Sequence, residues 1–163
     1  MTEIRSGLGF DLHPLVADRP LVLGGVTIPG PRGLGGHSDA DVLTHAVAEA
    51  LLGALALGDL GRLFPDTDPR YLNVSSLELL RGVVEVVAAN GGSPINVDAT
   101  LICQVPRLAA FLDQMAARLA ETLMLAPGRV SVKAKSPEGL GLLGREEGIA
   151  AMAVVAVRVQ STS

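Results

Sequence analysis

The chain has one cysteine, no tryptophan, one tyrosine and three phenylalanines among its 163 residues. A single thiol, Cys103, excludes an intrachain disulfide framework and fits a reducing, cytoplasmic setting. It lies in an apolar, strand-like run and reads as a buried structural thiol rather than a nucleophile. So few aromatics leave no stacking platform for bases, the formal net charge is −4, and no basic patch appears in the sequence. These features argue against nucleic acid as a partner. Hydrophobic residues make up 48% of the chain, yet no apolar run nears the roughly 18 residues a membrane span requires. Nor does Met1-Thr2-Glu3-Ile4-Arg5 read as a signal or transit peptide. The length fits one domain over residues 1–163, with an aliphatic core.

Histidine is also scarce, and its placement is not even. The three histidines, His13, His37 and His45, fall in the first third of the chain, each near carboxylates: Asp11, Asp39, Asp41 and Glu49. Neutral imidazoles with a carboxylate oxygen are a common zinc ligand set, and three protein ligands leave a fourth position for chemistry. Around His13 the run Leu8-Gly9-Phe10-Asp11-Leu12-His13 alternates, so a strand would put Leu8, Phe10 and Leu12 into the core and Asp11 with His13 on the other face. Gly36-His37-Ser38-Asp39-Ala40-Asp41 reads as a helix start with Ser38 as N-cap and Asp41 three residues on. Asp41, His45 and Glu49 would then share one helical stripe, which makes His45 the third ligand. His37, just before the cap, is placed to meet an anionic substrate at the helix N-terminus. The bland alternative is three ordinary hydrogen-bonded histidines.

The rest of the chain alternates strands and helices. Strands are expected at 4–13 and 21–28, the latter folded as a hairpin at Gly24-Gly25. A helix should run from about 39 to 57 and end at Gly58-Asp59-Leu60-Gly61, before an irregular loop at 63–69. Ser75-Ser76-Leu77-Glu78 reads as a capping box opening a helix that stops at Gly91-Gly92. A strand at 95–105 is followed by Pro106 as the first-turn proline of a helix reaching Met124, with Leu108, Phe111, Leu112, Met115 and Leu119 on its apolar face. Strands at 130–135 and 149–159 close the chain, the last apolar enough to be central. The expected fold is α+β, an α/β sandwich: one mainly four-stranded sheet with helices packed on one face, plus a short N-terminal hairpin.

Gly139-Leu140-Gly141-Leu142-Leu143-Gly144 matches the dinucleotide pattern G-x-G-x-x-G, but too few residues follow for the helix, strand and acid such a fold needs. Lys133, Lys135, Ser136, Glu138 and Arg145 surround it, so a phosphate-binding loop and a plain turn between strands are both open readings. Together these parts point to metal-assisted chemistry on a phosphorylated small molecule, with water or a substrate group as nucleophile.

Four segments carry a resemblance at matching order and spacing over nearly the whole chain. They are Gly9-Phe10-Asp11-Leu12-His13, His37-Ser38-Asp39-Ala40-Asp41-Val42 with His45, Leu57 to Pro69, and Gly144-Arg145-Glu146-Glu147-Gly148-Ile149-Ala150. They resemble the 2-C-methyl-D-erythritol 2,4-cyclodiphosphate synthases. The resemblance implies a phosphorus–oxygen lyase of the non-mevalonate isoprenoid route that cyclises 4-diphosphocytidyl-2-C-methyl-D-erythritol 2-phosphate and releases CMP. It implies zinc on Asp11, His13 and His45, and a second divalent ion, Mg²⁺ or Mn²⁺, on Glu138. His37, Ser38, Asp59 and Asp66 would meet the methylerythritol end of the substrate, Gly61 would be a further substrate-binding residue, and Arg107, Ala134, Lys135 and Ser136 would meet the cytidine diphosphate. A homotrimer with sites between subunits is implied. Phe10, Leu142, Arg145 and Glu147 would ring a threefold cavity able to take an isoprenoid phosphate, Arg145 also counting among the substrate-binding residues. Arg107 stands where lysine is usual, Lys135 and Ser136 where threonines are common, Leu142 where an aromatic is frequent, and Glu49 in place of a shorter acid.

Overall fold

Glycine, rather than the large apolar residues, decides how the first strand packs. In the computed structural model, which describes residues 2–160, β1 (Thr2–Ala17) runs under helix α1 (Val42–Ala54). Met1 and residues 161–163, the ends of the expected 1–163 domain, lie outside the described residues. Gly7 and Gly9 face the helix so closely that a Cβ at either would fall 1.9 Å from a carbonyl oxygen, of Ala50 and Ala46 respectively. The alternation in β1 is as expected, but the core lies on the opposite face. Leu8, Phe10 and Leu12 remain 63%, 55% and 40% exposed, while Asp11 and His13 share the helix-facing side with the glycines. The physical reason is proximity: a strand with no side chain at alternate positions lets a helix backbone ride directly on it.

The sheet has five strands rather than mainly four, in the order β4-β1-β7-β5-β6, with β4 (Arg32–Leu34), β5 (Gly92–Ile102), β6 (Val130–Lys135) and β7 (Gly148–Gln160). The extra strand, β4, is three residues long and pairs with the end of β1. Only β5 and β6 are parallel; the other neighbours are antiparallel. β7 is central, as its Ala- and Val-rich sequence predicts. The expected hairpin forms as β2 (Leu21–Leu23) and β3 (Val26–Ile28), turning at Gly24 and Gly25, both at positive φ. Helix α1 packs on β1 and β7 and against α3 (Ser76–Ala89), which explains its Ala/Val/Leu sequence, buried on nearly every side. The opposite face of the sheet carries exposed Ile4, Leu8, Phe10, Met152 and Val154, with Phe10 opposite Met152 and Leu8 opposite Val154.

Several boundaries move. Helix α1 begins at Val42, not 39, because Ala40 takes a positive φ and Asp41, not Ser38, is the N-cap, its side chain accepting from Thr44 N. The 57–69 region is more regular than expected. It contains α2 (Leu60–Leu63), capped by Asp59, and a 3-10 turn at Pro69–Tyr71 capped by Asp68. The capping box at 75–78 does not form: the Ser75 side chain makes no cap bond, and Asp39 accepts from Ser76 N instead. Pro106 is not a first-turn proline. It lies in the loop after β5 with a cis bond to Val105, and helical turns begin at Ala109–Phe111, ahead of α4 (Leu112–Thr122). At the start of that loop, Cys103 N–H continues the ladder to Lys135 O. Cys103 itself is buried, and desolvation pushes its thiol up to about 11, an inert form. The G-x-G-x-x-G run winds into the single turn α5 (Gly141–Gly144), where a Cβ at Gly144 would meet Gly139 at 2.0 Å.

Candidate metal centre

Two elements that are distant in sequence, β1 and α1, meet at the start of the helix. β1 delivers Asp11 and His13 from one face, and α1 delivers His45 one turn beyond its Asp41 cap. Asp41 is fully buried and accepts from Gly24 N at 2.8 Å, Gly25 N at 2.7 Å, Thr44 N at 3.0 Å and Thr44 Oγ1 at 2.6 Å. It therefore ties the β2–β3 turn to the helix start and does not join the metal stripe expected of it. Burial pushes the Asp41 carboxyl up, against the pull of the Thr44 and Gly25 donors.

The ligand atoms form a tight triangle. Asp11 Oδ2 lies 2.9 Å from His13 Nε2 and 2.9 Å from His45 Nδ1, and the two imidazole nitrogens are 3.2 Å apart. A tetrahedral zinc with ligands at about 2.0–2.1 Å has ligand–ligand edges of about 3.3 Å, so the donor set fits such an ion with small adjustments. Asp11, His13 and His45 are the group that could hold a metal among the described residues. The opposite nitrogen of His13, Nδ1, lies 2.9 Å from Gly35 O. A carbonyl can only accept, so Nδ1 carries the proton and Nε2 turns its lone pair to the triangle. Burial pushes the Asp11 carboxyl up, but in the metal-free site, with protons on the facing imidazole nitrogens, hydrogen bonds from His13 and His45 and their charge outweigh it and hold it well below the usual carboxylate range. For His13 burial acts downward, and the Asp11 carboxylate outweighs it, raising the imidazole above its ordinary 6.5.

A cleft of about 370 Å³ opens over this triangle. His37, Ser38, Gly61 and Asp66 line it together with the three ligands, as do Glu49, Phe64 and Tyr71. Asp59 stands just outside that lining, as the cap of α2, accepting from Arg62 N at 2.9 Å. Ala134, Lys135 and Ser136 do not reach it; they lie at the end of β6, with Arg107 in the loop after β5. Glu138, at positive φ, follows with its N–H on Ser136 Oγ, and Arg145 pairs with Glu147 at 2.6 Å.

Four residues here went unmarked or unexplained by sequence. Arg19 donates to Gly36 O and Ser38 O, both at 2.7 Å, and so straps the His37 loop; an isolated arginine before a strand gives no such signal. Glu49 Oε1 accepts from Leu60 N at 2.9 Å and fixes α2 at the cleft edge. Ser76 and Asp39 lie behind His45, joined to each other across 37 residues.

The YgbB family matches residues 4–158. A 2-C-methyl-D-erythritol 2,4-cyclodiphosphate synthase of Nitrosospira multiformis is 57% identical over 92% of this chain and 85% of its own. Among solved structures, the bifunctional IspDF of Campylobacter jejuni superposes with a TM-score of 0.94 at 42% identity. The match covers 99% of this chain but 44% of that longer one, so it concerns less than half of the bifunctional protein. A 2C-methyl-D-erythritol-2,4-cyclodiphosphate synthase in a CDP-bound form superposes at 0.86 and 37% identity, covering 94% of this chain and 99% of its own. With this extent of identity and a metal-ligand triangle under an open cleft, the chain belongs to the YgbB family, that of the 2-C-methyl-D-erythritol 2,4-cyclodiphosphate synthases.

Proposed function

We propose that the chain cyclises 4-diphosphocytidyl-2-C-methyl-D-erythritol 2-phosphate to the 2,4-cyclodiphosphate whose name its relatives bear, with release of CMP. The observation that carries this reading is the Asp11–His13–His45 triangle opening onto the same cleft as His37, Ser38 and Asp66. In the reaction an oxygen of the 2-phosphate bonds to the β-phosphorus. The bond from that phosphorus to the bridging oxygen breaks, and CMP leaves with the oxygen and its electron pair. No protein nucleophile enters, so positioning and charge neutralisation provide most of the acceleration.

Asp11, His13 and His45 would hold zinc, which when bound polarises a phosphoryl oxygen and offsets the charge developing there. Glu138 would hold the second divalent ion, Mg²⁺ or Mn²⁺. His37 and Ser38 would orient the methylerythritol phosphate, while Asp66 accepts from its hydroxyls beside Asp59 and Gly61. Arg107, Ala134, Lys135 and Ser136 would take the cytidine diphosphate end. Leu12, Ala150, Ile102 and Lys135 stand on one rung across β1, β7, β5 and β6. Three strand spacings separate the first from the last, about 14 Å. One chain therefore spreads the two halves of the site apart, which supports a homotrimer whose clefts are completed by a neighbour. Exposed Ile4, Leu8, Phe10, Met152 and Val154 support the same assembly, since an apolar patch of this kind favours a partner. Phe10, Leu142, Arg145 and Glu147 would then border the threefold cavity proposed for an isoprenoid phosphate.

Phosphorus NMR of the purified protein with this substrate and Mg²⁺, before and after zinc chelation, tests the reading. Cyclic diphosphate with CMP, lost on chelation and regained with zinc, is expected. Inorganic phosphate as product would make water the nucleophile, and no turnover by the zinc-loaded oligomer would overturn the assignment.

A further inference from the structure

His45 points its second nitrogen away from the metal triangle, and what it meets there is an ordered chain of two side chains from separate parts of the sequence. His45 Nε2 lies 2.9 Å from Ser76 Oγ, and Ser76 Oγ in turn is hydrogen-bonded to Asp39 Oδ1. Asp39 holds the same residue a second time, Oδ2 accepting from Ser76 N at 3.0 Å. Ser76 is fully buried, at the first position of α3, and Asp39 occupies the loop before α1. The loop is held at its other end too, by Asp39 N–H on Val74 O at 3.1 Å and Asn73 N–H on His37 O at 2.8 Å.

The chemistry fixes the direction of every proton in this chain. An ionised carboxylate can only accept, so the Ser76 hydroxyl donates to Asp39 and is left with lone pairs facing His45. Those lone pairs require a proton on His45 Nε2. His45 Nδ1, 2.9 Å from Asp11 and 3.2 Å from His13, is then the unprotonated nitrogen with its lone pair toward the triangle. Ser38 Oγ is a second, longer neighbour of His45 Nε2 at 3.2 Å, and it accepts from Ala40 N at 3.1 Å. We infer that Asp39 and Ser76 are positioning residues that fix the tautomer and ring orientation of His45 as a metal ligand, as the Gly35 carbonyl does for His13. The inference rests on the zinc reading above and extends it to residues that touch neither metal nor substrate. It also accounts for the unused capping box at Ser75: the first N–H of α3 is satisfied by Asp39, so that the helix start itself holds the hydroxyl behind the ligand.

Zinc affinity, measured by competition with a chromophoric chelator, and the visible absorption of the cobalt(II)-loaded protein test this without relying on turnover. Wild type should bind one metal per chain and His45→Ala should lose it; a wild type that binds none overturns the zinc reading and this inference together. Removal of an outer partner costs about 10–100-fold in metal affinity. Since Ser38 remains as a substitute acceptor, Ser76→Ala should fall about tenfold, at the low end, with an altered cobalt spectrum. Ser76→Thr keeps the hydroxyl and should bring both back toward wild type. Should Ser76→Ala fail to fold, Asp39→Asn provides the test. Its amide can donate to Ser76 and reverse the proton order, so it should also weaken zinc and change the cobalt spectrum. A variant that lowers the melting temperature of the metal-free protein but leaves zinc affinity and the cobalt spectrum as in wild type would make the chain of side chains purely structural and overturn the inference.

Discussion

A Cβ on Gly9 would sit 1.9 Å from the carbonyl oxygen of Ala46, so strand β1 and helix α1 meet backbone to backbone beside the metal triangle. Gly9 precedes Asp11 by two residues and Ala46 follows His45, so the contact sets the spacing between the ligands on the strand and the one on the helix. Gly9→Ala must push the helix away. The expected cost is about 1–3 kcal/mol from overpacking, together with weaker zinc binding. Gly53→Ala on the same helix is the control: its Cβ would meet only Leu8 O, at 3.9 Å, and should stabilise by about 0.5–1 kcal/mol. Urea unfolding and chelator competition on both variants check the pair; equal behaviour would contradict the argument.

Asp41 makes the complementary join, between the helix and the β2–β3 turn. All four of its partners donate, and asparagine can match only part of that pattern, because its NH₂ would face backbone N–H or the Thr44 hydroxyl. Asp41→Asn should destabilise by roughly 2–4 kcal/mol through a buried mismatch and a weakened cap. The urea midpoint should fall with the slope unchanged, while the metal triangle, which Asp41 does not join, retains its zinc.

The sequence exposes the candidate metal triangle and little of what holds it. Asp11, His13 and His45 were visible because scarce residue types gathered at strand and helix spacing. The hairpin turn was visible because Gly24-Gly25 interrupts an apolar run. The core face of β1 is not legible in the sequence for a physical reason: hydrophobicity scores Leu8, Phe10 and Leu12 as interior, whereas helix packing on Gly7 and Gly9 is a matter of distance, which apolar character does not encode. Caps were misassigned for a similar reason. Ser38 and Ser75 have the right residue type at the right place, but tertiary contacts gave those roles to Asp41 and Asp39. Arg19 had no local pattern at all, because its partners are backbone carbonyls of a loop 17 to 19 residues later.

Acid should release the metal through His13. Its imidazole is raised above 6.5 in the metal-free protein because the Asp11 carboxylate outweighs its burial, so a proton competes with zinc there at and just above that pH. Asp11, held below its ordinary 3.8, offers no such competition until far lower pH. Zinc affinity should therefore fall about tenfold per pH unit as pH drops below the raised His13 value. The metal-free protein should behave differently. Stability from Asp11 is present above the unfolded value and lost as pH falls toward its depressed value; stability from His13 is complete below 6.5 and lost as pH rises through its raised value. Its melting temperature should peak between those limits. Zinc titrations from pH 5 to 8 and thermal scans of the metal-free protein from about pH 2 to 8 read both trends, and a zinc affinity flat from pH 5 to 8 would exclude His13 as a ligand.

Leu8 separates the metal site from the assembly. It lies on the exposed face of β1 opposite Val154 of β7, whereas Asp11 and His13 face the helix. Leu8→Glu would leave an unpaired charge at the centre of the proposed subunit contact, which is unfavourable when desolvated. The variant should sediment as a smaller species and still bind one zinc per chain, because all three ligands come from the same chain. Its turnover should fall by about tenfold or more, since a monomer keeps Asp11, His13 and His45 about three strand spacings from its own Lys135. Sedimentation, zinc content and product formation in one preparation distinguish the cases. A monomer with full turnover would mean that one chain builds a whole site, and an unchanged trimer would mean that this face is not the contact.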